Sequence, residues 1–100
     1  MAATPESKVK AHIKAVLKKH NVYFVMPIGT GYGPSGVPDF LCCVDGKFLA
    51  IEAKAGSNKP TALQNKHLSD IKGAGGIAMV INDANIQSFE GFILLIKDKK

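Results

Sequence analysis

Val9, Ile13, Val16 and Leu17 recur at helical spacing, with Lys10 and Lys14 between them and Lys8, Lys18 and Lys19 on either side. That alternation predicts an amphipathic helix with one apolar stripe. Thr4-Pro5-Glu6 supplies its start: an N-cap hydroxyl, a proline at the first position and an acid in the first turn. The helix should stop near His20-Asn21, because asparagine tolerates the left-handed conformation of a C-terminal cap. Val22 to Met26 is short, apolar and β-branched or aromatic, which predicts a strand. Residues 29–36, Gly-Thr-Gly-Tyr-Gly-Pro-Ser-Gly, hold four glycines and a proline, so no regular element can persist there. This loop lacks the Gly-Lys-Ser/Thr ending of a phosphate-binding P-loop. A loop of that length in so small a chain is more often functional or mobile than structural.

Phe40 to Val44 and Lys47 to Ala53 are apolar runs joined by Asp45-Gly46, a strong hairpin signal. Lys59-Pro60-Thr61 opens a second helix, with Leu63, His67, Leu68, Ile71 and Ala74 marking one face and Gly73 to Gly76 ending it. Gly76 to Ile81 reads as a buried strand. In the last segment Ile86, Phe89, Ile93 and Ile96 fit a helix, while Phe92 to Ile96 also fits a strand; the helix is the preferred reading. The order is α-β-β-β-α-β-α, an α/β fold with a mixed sheet, over a single domain spanning residues 1–100 without repeats or linkers.

Charge narrows the choice of partner. The net charge of +5 suits a polyanion, and lysines crowd the first helix and the C-terminus. A solvated helix face and a charged tail explain the same lysines without any partner. The chain has no arginine, so bidentate arginine reading of guanine is excluded, and any DNA recognition should lean on phosphate, shape and backbone contacts more than on base sequence. Cys42 and Cys43 are adjacent, so strand geometry points them to opposite faces and disfavours a disulfide. Without a C-x-x-C pair they predict reduced, packed thiols and a cytoplasmic setting, not a zinc site. No apolar run approaches membrane-spanning length and no signal peptide is visible.

The chemistry lies in Pro38-Asp39, then Glu52-Ala53-Lys54. Pairing across the Asp45-Gly46 turn sets Val44 opposite Lys47 and therefore Asp39 opposite Glu52. Directly opposed side chains share a face with Cβ atoms about 5 Å apart. Lys54, two residues beyond Glu52, points the same way. Ala53 points to the other face, and its carbonyl is placed to offer one more oxygen. Two carboxylates can hold a hard divalent ion such as Mg²⁺, and a lysine beside it can orient a water. The spacing alone is common by chance, and its bland reading is an acid–lysine pair on a half-exposed sheet. The apolar strands around it, where unpaired charge is unfavourable, favour a site.

Gly-Val-Pro-Asp-Phe at 36–40, Ala-Ile-Glu-Ala-Lys at 50–54, Gln64 and the Gly75-Gly76 strand entry resemble the virus-type replication-repair nuclease (VRR-NUC) domain of the PD-(D/E)xK nuclease superfamily. The resemblance spans about residues 5–83. It implies a restriction-endonuclease-like fold, Mg²⁺ or Mn²⁺ dependence, DNA cleavage and a homodimer, with some relatives resolving four-way junctions. The family name suggests a bacterial or viral setting. The family's first-helix acid matches Glu6, which shares a face with Val9 and Ile13; a helix-dipole role would also explain it. Gln64 matches a position said to support the catalytic lysine, yet Thr61-Ala62-Leu63-Gln64 is also a capping box. The expected catalytic set is thus Asp39, Glu52, Lys54 and Gln64, and the metal set Glu6, Asp39, Glu52 and Ala53.

Other residues are weaker. Tyr32 and Ser35 are candidates for contact with the DNA strand being cut. Lys59 and Lys66 fit solvated lysines better than DNA contacts. His12, His20 and His67 fit no ligand spacing, and His67 is expected to be a hydrogen-bonded core or interface residue. Ala55-Gly56-Ser57-Asn58 replaces the arginine that commonly follows the motif lysine. The expected activity is a homodimeric, metal-dependent endodeoxyribonuclease acting on branched DNA. The alternative is a non-catalytic DNA-structure-binding protein of the same fold; a sequence-specific restriction enzyme is disfavoured by the short chain and the absent arginine.

Overall fold

The computed structural model describes residues 4–28 and 35–98. Its elements are α1 (Pro5–Lys19), β1 (Tyr23–Val25), β2 (Phe40–Val44), β3 (Lys47–Ala53), α2 (Ala62–Gly73), β4 (Ile77–Ile81), a 3₁₀ turn (Ile86–Ser88) and α3 (Phe89–Asp98). The predicted order holds, and the sheet is mixed. Its strands run β1-β2-β3-β4, with β1, β2 and β3 antiparallel and β4 parallel to β3. A parallel neighbour needs a crossover, and α2 provides it.

The ends of α1 follow the sequence signals. Thr4 Oγ1 accepts the Ser7 amide hydrogen at 3.1 Å. Asn21 takes φ 56°, which turns the chain out of the helix. Lys97 Nζ donates to the His20 carbonyl at 2.9 Å, satisfying a helix-end acceptor from α3.

The hairpin turn has positive φ at both Asp45 (49°) and Gly46 (83°), the twist that matches paired strands. The register runs from Val44↔Lys47 to Phe40↔Ile51, as the turn predicts.

The core has two unequal layers. Leu49, Ile51 and Ala53 face α1 and α3, meeting Val9, Ile13, Leu17, Phe89 and Ile93. The other face carries Ala50 and Ala78 beneath Leu68 of α2. This thinner layer corrects the expected apolar face of the second helix. Of the five residues only Leu68 is buried and His67 and Ile71 are half-buried, while Leu63 is 55% exposed and Ala74 is exposed. Small alanines on the sheet leave little depth for α2 to fill.

The first strand is shorter than Val22 to Met26. Val22 is buried just before it, and Met26 lies just beyond it. The last segment is helical. Asn82 Oδ1 accepts from Ala84 N–H and Asn85 N–H, and Asn85 Nδ2 donates to the Val80 carbonyl at 2.9 Å. These side-chain bonds stop β4 and turn the chain into a helical start. Most of the glycine-rich loop, residues 29–34 with Tyr32, lies outside the described residues. Among the described residues no helix is long and apolar enough to cross a membrane.

Candidate active site

Asp39 is delivered by a tight approach of the chain to α2. Gly36 has φ +81°, and a Cβ there would lie 2.9 Å from the Leu63 carbonyl carbon and 3.0 Å from the Gln64 nitrogen. Only glycine fits both the dihedral and the space. Pro38 is then fully buried and anchors the residue that follows. Asp39 Oδ2 accepts the Ala53 amide hydrogen at 2.8 Å. This bond extends the hairpin past Phe40↔Ile51 and brings Asp39 beside Glu52.

Glu52 lies on the central strand β3, paired with Val80 of β4, and its side chain is 2% exposed. Its Oε1 is buried and has no hydrogen-bond partner. Burial pushes the Glu52 carboxyl up to about 7, the Asp39 charge adds to the rise, Lys54 opposes it, and Glu6 adds a smaller push. Lys54 holds its backbone in place by donating its N–H to the Ile81 carbonyl at 2.9 Å. Its Nζ lies 3.7 Å from Glu52 Oε2, with the side chain 12% exposed. Three groups expected to converge do so, at the end of the hairpin away from its turn.

Glu6 approaches from the start of α1. Its carboxylate is 38% exposed, more open than its shared face with Val9 and Ile13 suggests. Sequence reasoning missed its companion. Lys10 Nζ lies 3.6 Å from Glu6 Oε2 and 3.4 Å from Asp39 Oδ1, bridging the two acids. The four-residue spacing of Glu6 and Lys10 was the available signal.

The donor set fits a hard divalent cation. Mutually repelling carboxylates and a buried oxygen without a partner are unfavourable without added positive charge. Among the described residues no three His, Cys, Asp or Glu side chains close into a metal cage. Mg²⁺ keeps several waters and needs only one or two carboxylates from a protein, so such closure is not required.

Gln64 serves the helix start. Thr61 Oγ1 accepts the Gln64 N–H at 3.2 Å and Gln64 Oε1 accepts the Thr61 N–H at 2.8 Å, completing the capping box. The Lys54 ammonium has only donors, so any support for it falls to the remaining lone pair of Gln64 Oε1. His67 Nε2 is 2.9 Å from the Ser35 carbonyl oxygen, a hydrogen bond that fastens the end of the glycine-rich loop to α2. Ser35 is exposed, as is Lys59, while Lys66 pairs with Asp70 at 2.9 Å on the surface. The segment after Lys54 turns sharply at Gly56, whose N–H donates to Asp83 Oδ2 at 2.6 Å. Asp83 is a second residue the sequence did not single out.

No family model matches the chain, and no curated protein does. Solved structures do. One described as a VRR_NUC domain shares 23% identity, covers 98% of this chain and 100% of its own, and superposes with a TM-score of 0.72. A VRR_NUC domain protein gives 15% identity, 95% and 89% coverage and a TM-score of 0.68. Hjc of Archaeoglobus fulgidus, described as a Holliday junction resolvase from an archaeal hyperthermophile, gives 21% identity, 77% and 65% coverage and a TM-score of 0.55. The chain therefore takes the fold of the VRR_NUC structures, the restriction-endonuclease-like arrangement that the sequence predicts.

Proposed function

We propose that this chain, with its VRR_NUC fold, is a metal-dependent endonuclease that hydrolyses DNA phosphodiesters. The convergence of Asp39, Glu52 and Lys54, with the unpartnered Glu52 Oε1 buried among them, carries this reading. Asp39, Glu52 and the Ala53 carbonyl would hold Mg²⁺ or Mn²⁺, with Glu6 contributing from α1, directly or through water. When bound, the ion supplies charge neutralisation at the phosphate and a water that loses its proton more readily.

The protein's own residues do the positioning. The Asp39–Ala53 bond fixes one carboxylate against the backbone beside the other. Lys54, held by β4, aims its ammonium at the same point and donates hydrogen bonds to the attacking water or to a phosphate oxygen. That charge is most useful as negative charge develops on the oxygens in the transition state. Gln64 would steady Lys54 through the second lone pair of Oε1, the acceptor an ammonium needs.

The substrate is proposed to be branched DNA, such as a four-way junction, and the working unit a homodimer. The Hjc likeness supports the first. Phe92, Leu94 and Leu95, exposed on α3, support an assembly. Two sites related by a two-fold axis would suit a substrate with matching symmetry.

The test is cleavage of a labelled four-way junction beside linear duplex and single-stranded DNA of the same sequence, with Mg²⁺, Mn²⁺ or chelator. Metal-dependent junction cutting that Lys54→Ala eliminates is the expected result. Cutting of linear duplex instead would keep the chemistry and remove the junction preference. Tight binding without cutting would replace the enzyme by a DNA-structure-binding protein.

A further inference from the structure

Lys10 belongs to the acidic cluster as closely as Lys54 does. Its Nζ stands 3.4 Å from Asp39 Oδ1 and 3.6 Å from Glu6 Oε2, and its side chain is 34% exposed. An ordinary helix-surface lysine would need only the pair with Glu6, four residues earlier. The contact with Asp39 instead ties α1 to the hairpin end, across sheet and helix layers.

Charge decides what this lysine is for. When ionised, Glu6, Asp39 and Glu52 together carry one more charge than Lys10 and Lys54 neutralise. Lys54 offsets Glu52, so the excess falls on Glu6 and Asp39, which share Lys10, while Glu52 Oε1 is left without a hydrogen-bond partner. A divalent cation and Lys54 would balance all three acids by themselves. Lys10 would then be a surplus positive charge at the rim, partly exposed and on a flexible stem, suited to a phosphate as a point charge.

We propose that Lys10 is a resident cation that occupies the acidic cluster before the metal arrives and turns to a DNA phosphate once it has. This rests on the nuclease reading above and adds a coupling to it: metal and DNA each favour the other's binding through Lys10. Such coupling is reciprocal. Lys10 is a positioning residue here, and its removal has a signature opposite to that of lost structure. A lone positive charge a few ångströms from a divalent ion weakens that ion's binding by about tenfold even in a water-like dielectric.

The experiment is calorimetric titration of chelator-stripped protein with Mn²⁺ in the absence of DNA. Lys10→Gln is expected to bind Mn²⁺ about tenfold more tightly than wild type, and Lys10→Arg to match wild type. In a second measurement, Ca²⁺ should strengthen binding of labelled DNA by wild type and Lys10→Arg, and lose that effect in Lys10→Gln. Wild-type Mn²⁺ binding that Asp39→Asn abolishes, with Lys10→Gln equal to or weaker than wild type, would overturn the inference and leave the nuclease reading standing. No Mn²⁺ binding by wild type would overturn both.

Discussion

Asp39 accepts the Ala53 amide hydrogen at 2.8 Å, so the first acid of the site is bonded to the backbone one residue beyond the second acid. The carboxylate therefore has two tasks: one oxygen locks the hairpin end, and the other faces Lys10 at 3.4 Å. These tasks separate by substitution. Asp39→Asn keeps an acceptor for Ala53 and removes the charge. It is expected to lose Mn²⁺ binding while its urea midpoint in chelator stays at or above that of wild type. Asp39→Ala removes both and leaves a buried amide hydrogen unpaired, which costs about 1–3 kcal/mol. Denaturation and metal titration on the two variants check the division.

Glu52 makes the metal-free protein sensitive to pH. Burial first, then the Asp39 charge, raise its carboxyl from an ordinary 4.5 to about 7 in the folded state. A raised carboxyl binds its proton more tightly folded than unfolded. Its contribution to stability is therefore fully present below about 4.5 and is lost as pH rises toward 7. Glu52→Gln removes this titration. The stability of the variant minus that of wild type, in chelator, should rise across that window and level off above it, by on the order of 3 kcal/mol. Mn²⁺ at saturating concentration should stabilise wild type and not the variant. Urea denaturation at a series of pH values measures both, and a flat difference curve would contradict the assignment.

Gly36→Ala tests how Asp39 is delivered. The position has φ +81°, and the added methyl would meet the Leu63 and Gln64 backbone at 2.9 and 3.0 Å. Strain of both kinds should destabilise the fold by about 1–3 kcal/mol. Backbone cannot yield as a flexible side chain can, so the loop and α2 must separate, carrying Asp39 from Glu52. Weakened Mn²⁺ binding beside the lower denaturation midpoint is the expected pair of results.

Much of this was legible in the sequence because local rules and the tertiary fold agree. Asp45-Gly46 admits one turn, the turn fixes the register, and the register places Asp39 against Ala53 and Glu52. Lys10 was not legible in the same way. Its spacing from Glu6 is local, but its contact with Asp39 depends on how α1 lies across the end of the sheet, which no short-range pattern encodes. The apolar face assigned to α2 failed for a related reason. Helical spacing names the residues that share a face but not the depth of the surface beneath them, and Ala50 and Ala78 make that surface shallow. Gln64 satisfies a local rule completely, which is why its sequence signal could not separate capping from a role at Lys54.

The adjacent cysteines give a chemical test of the sheet's two faces. Cys42 and Cys43 are consecutive on β2, so they point in opposite directions. Cys42 enters the layer beneath α1 and α3 and is 3% exposed, and burial pushes its thiol up to about 12. Cys43 is exposed and free. The thiolate is the reactive form, so a buried, raised thiol is both shielded and poorly ionised. Native protein at pH 8 is expected to take up one equivalent of iodoacetamide, at Cys43, and a second only after unfolding in urea. Mass spectrometry of the peptide carrying both residues reads the order. Equal labelling of the two in native protein would mean that β2 is not held with Cys42 inward. The register that brings Asp39 to Glu52 would then be wrong as well, since one slip moves every side chain of the strand to the other face.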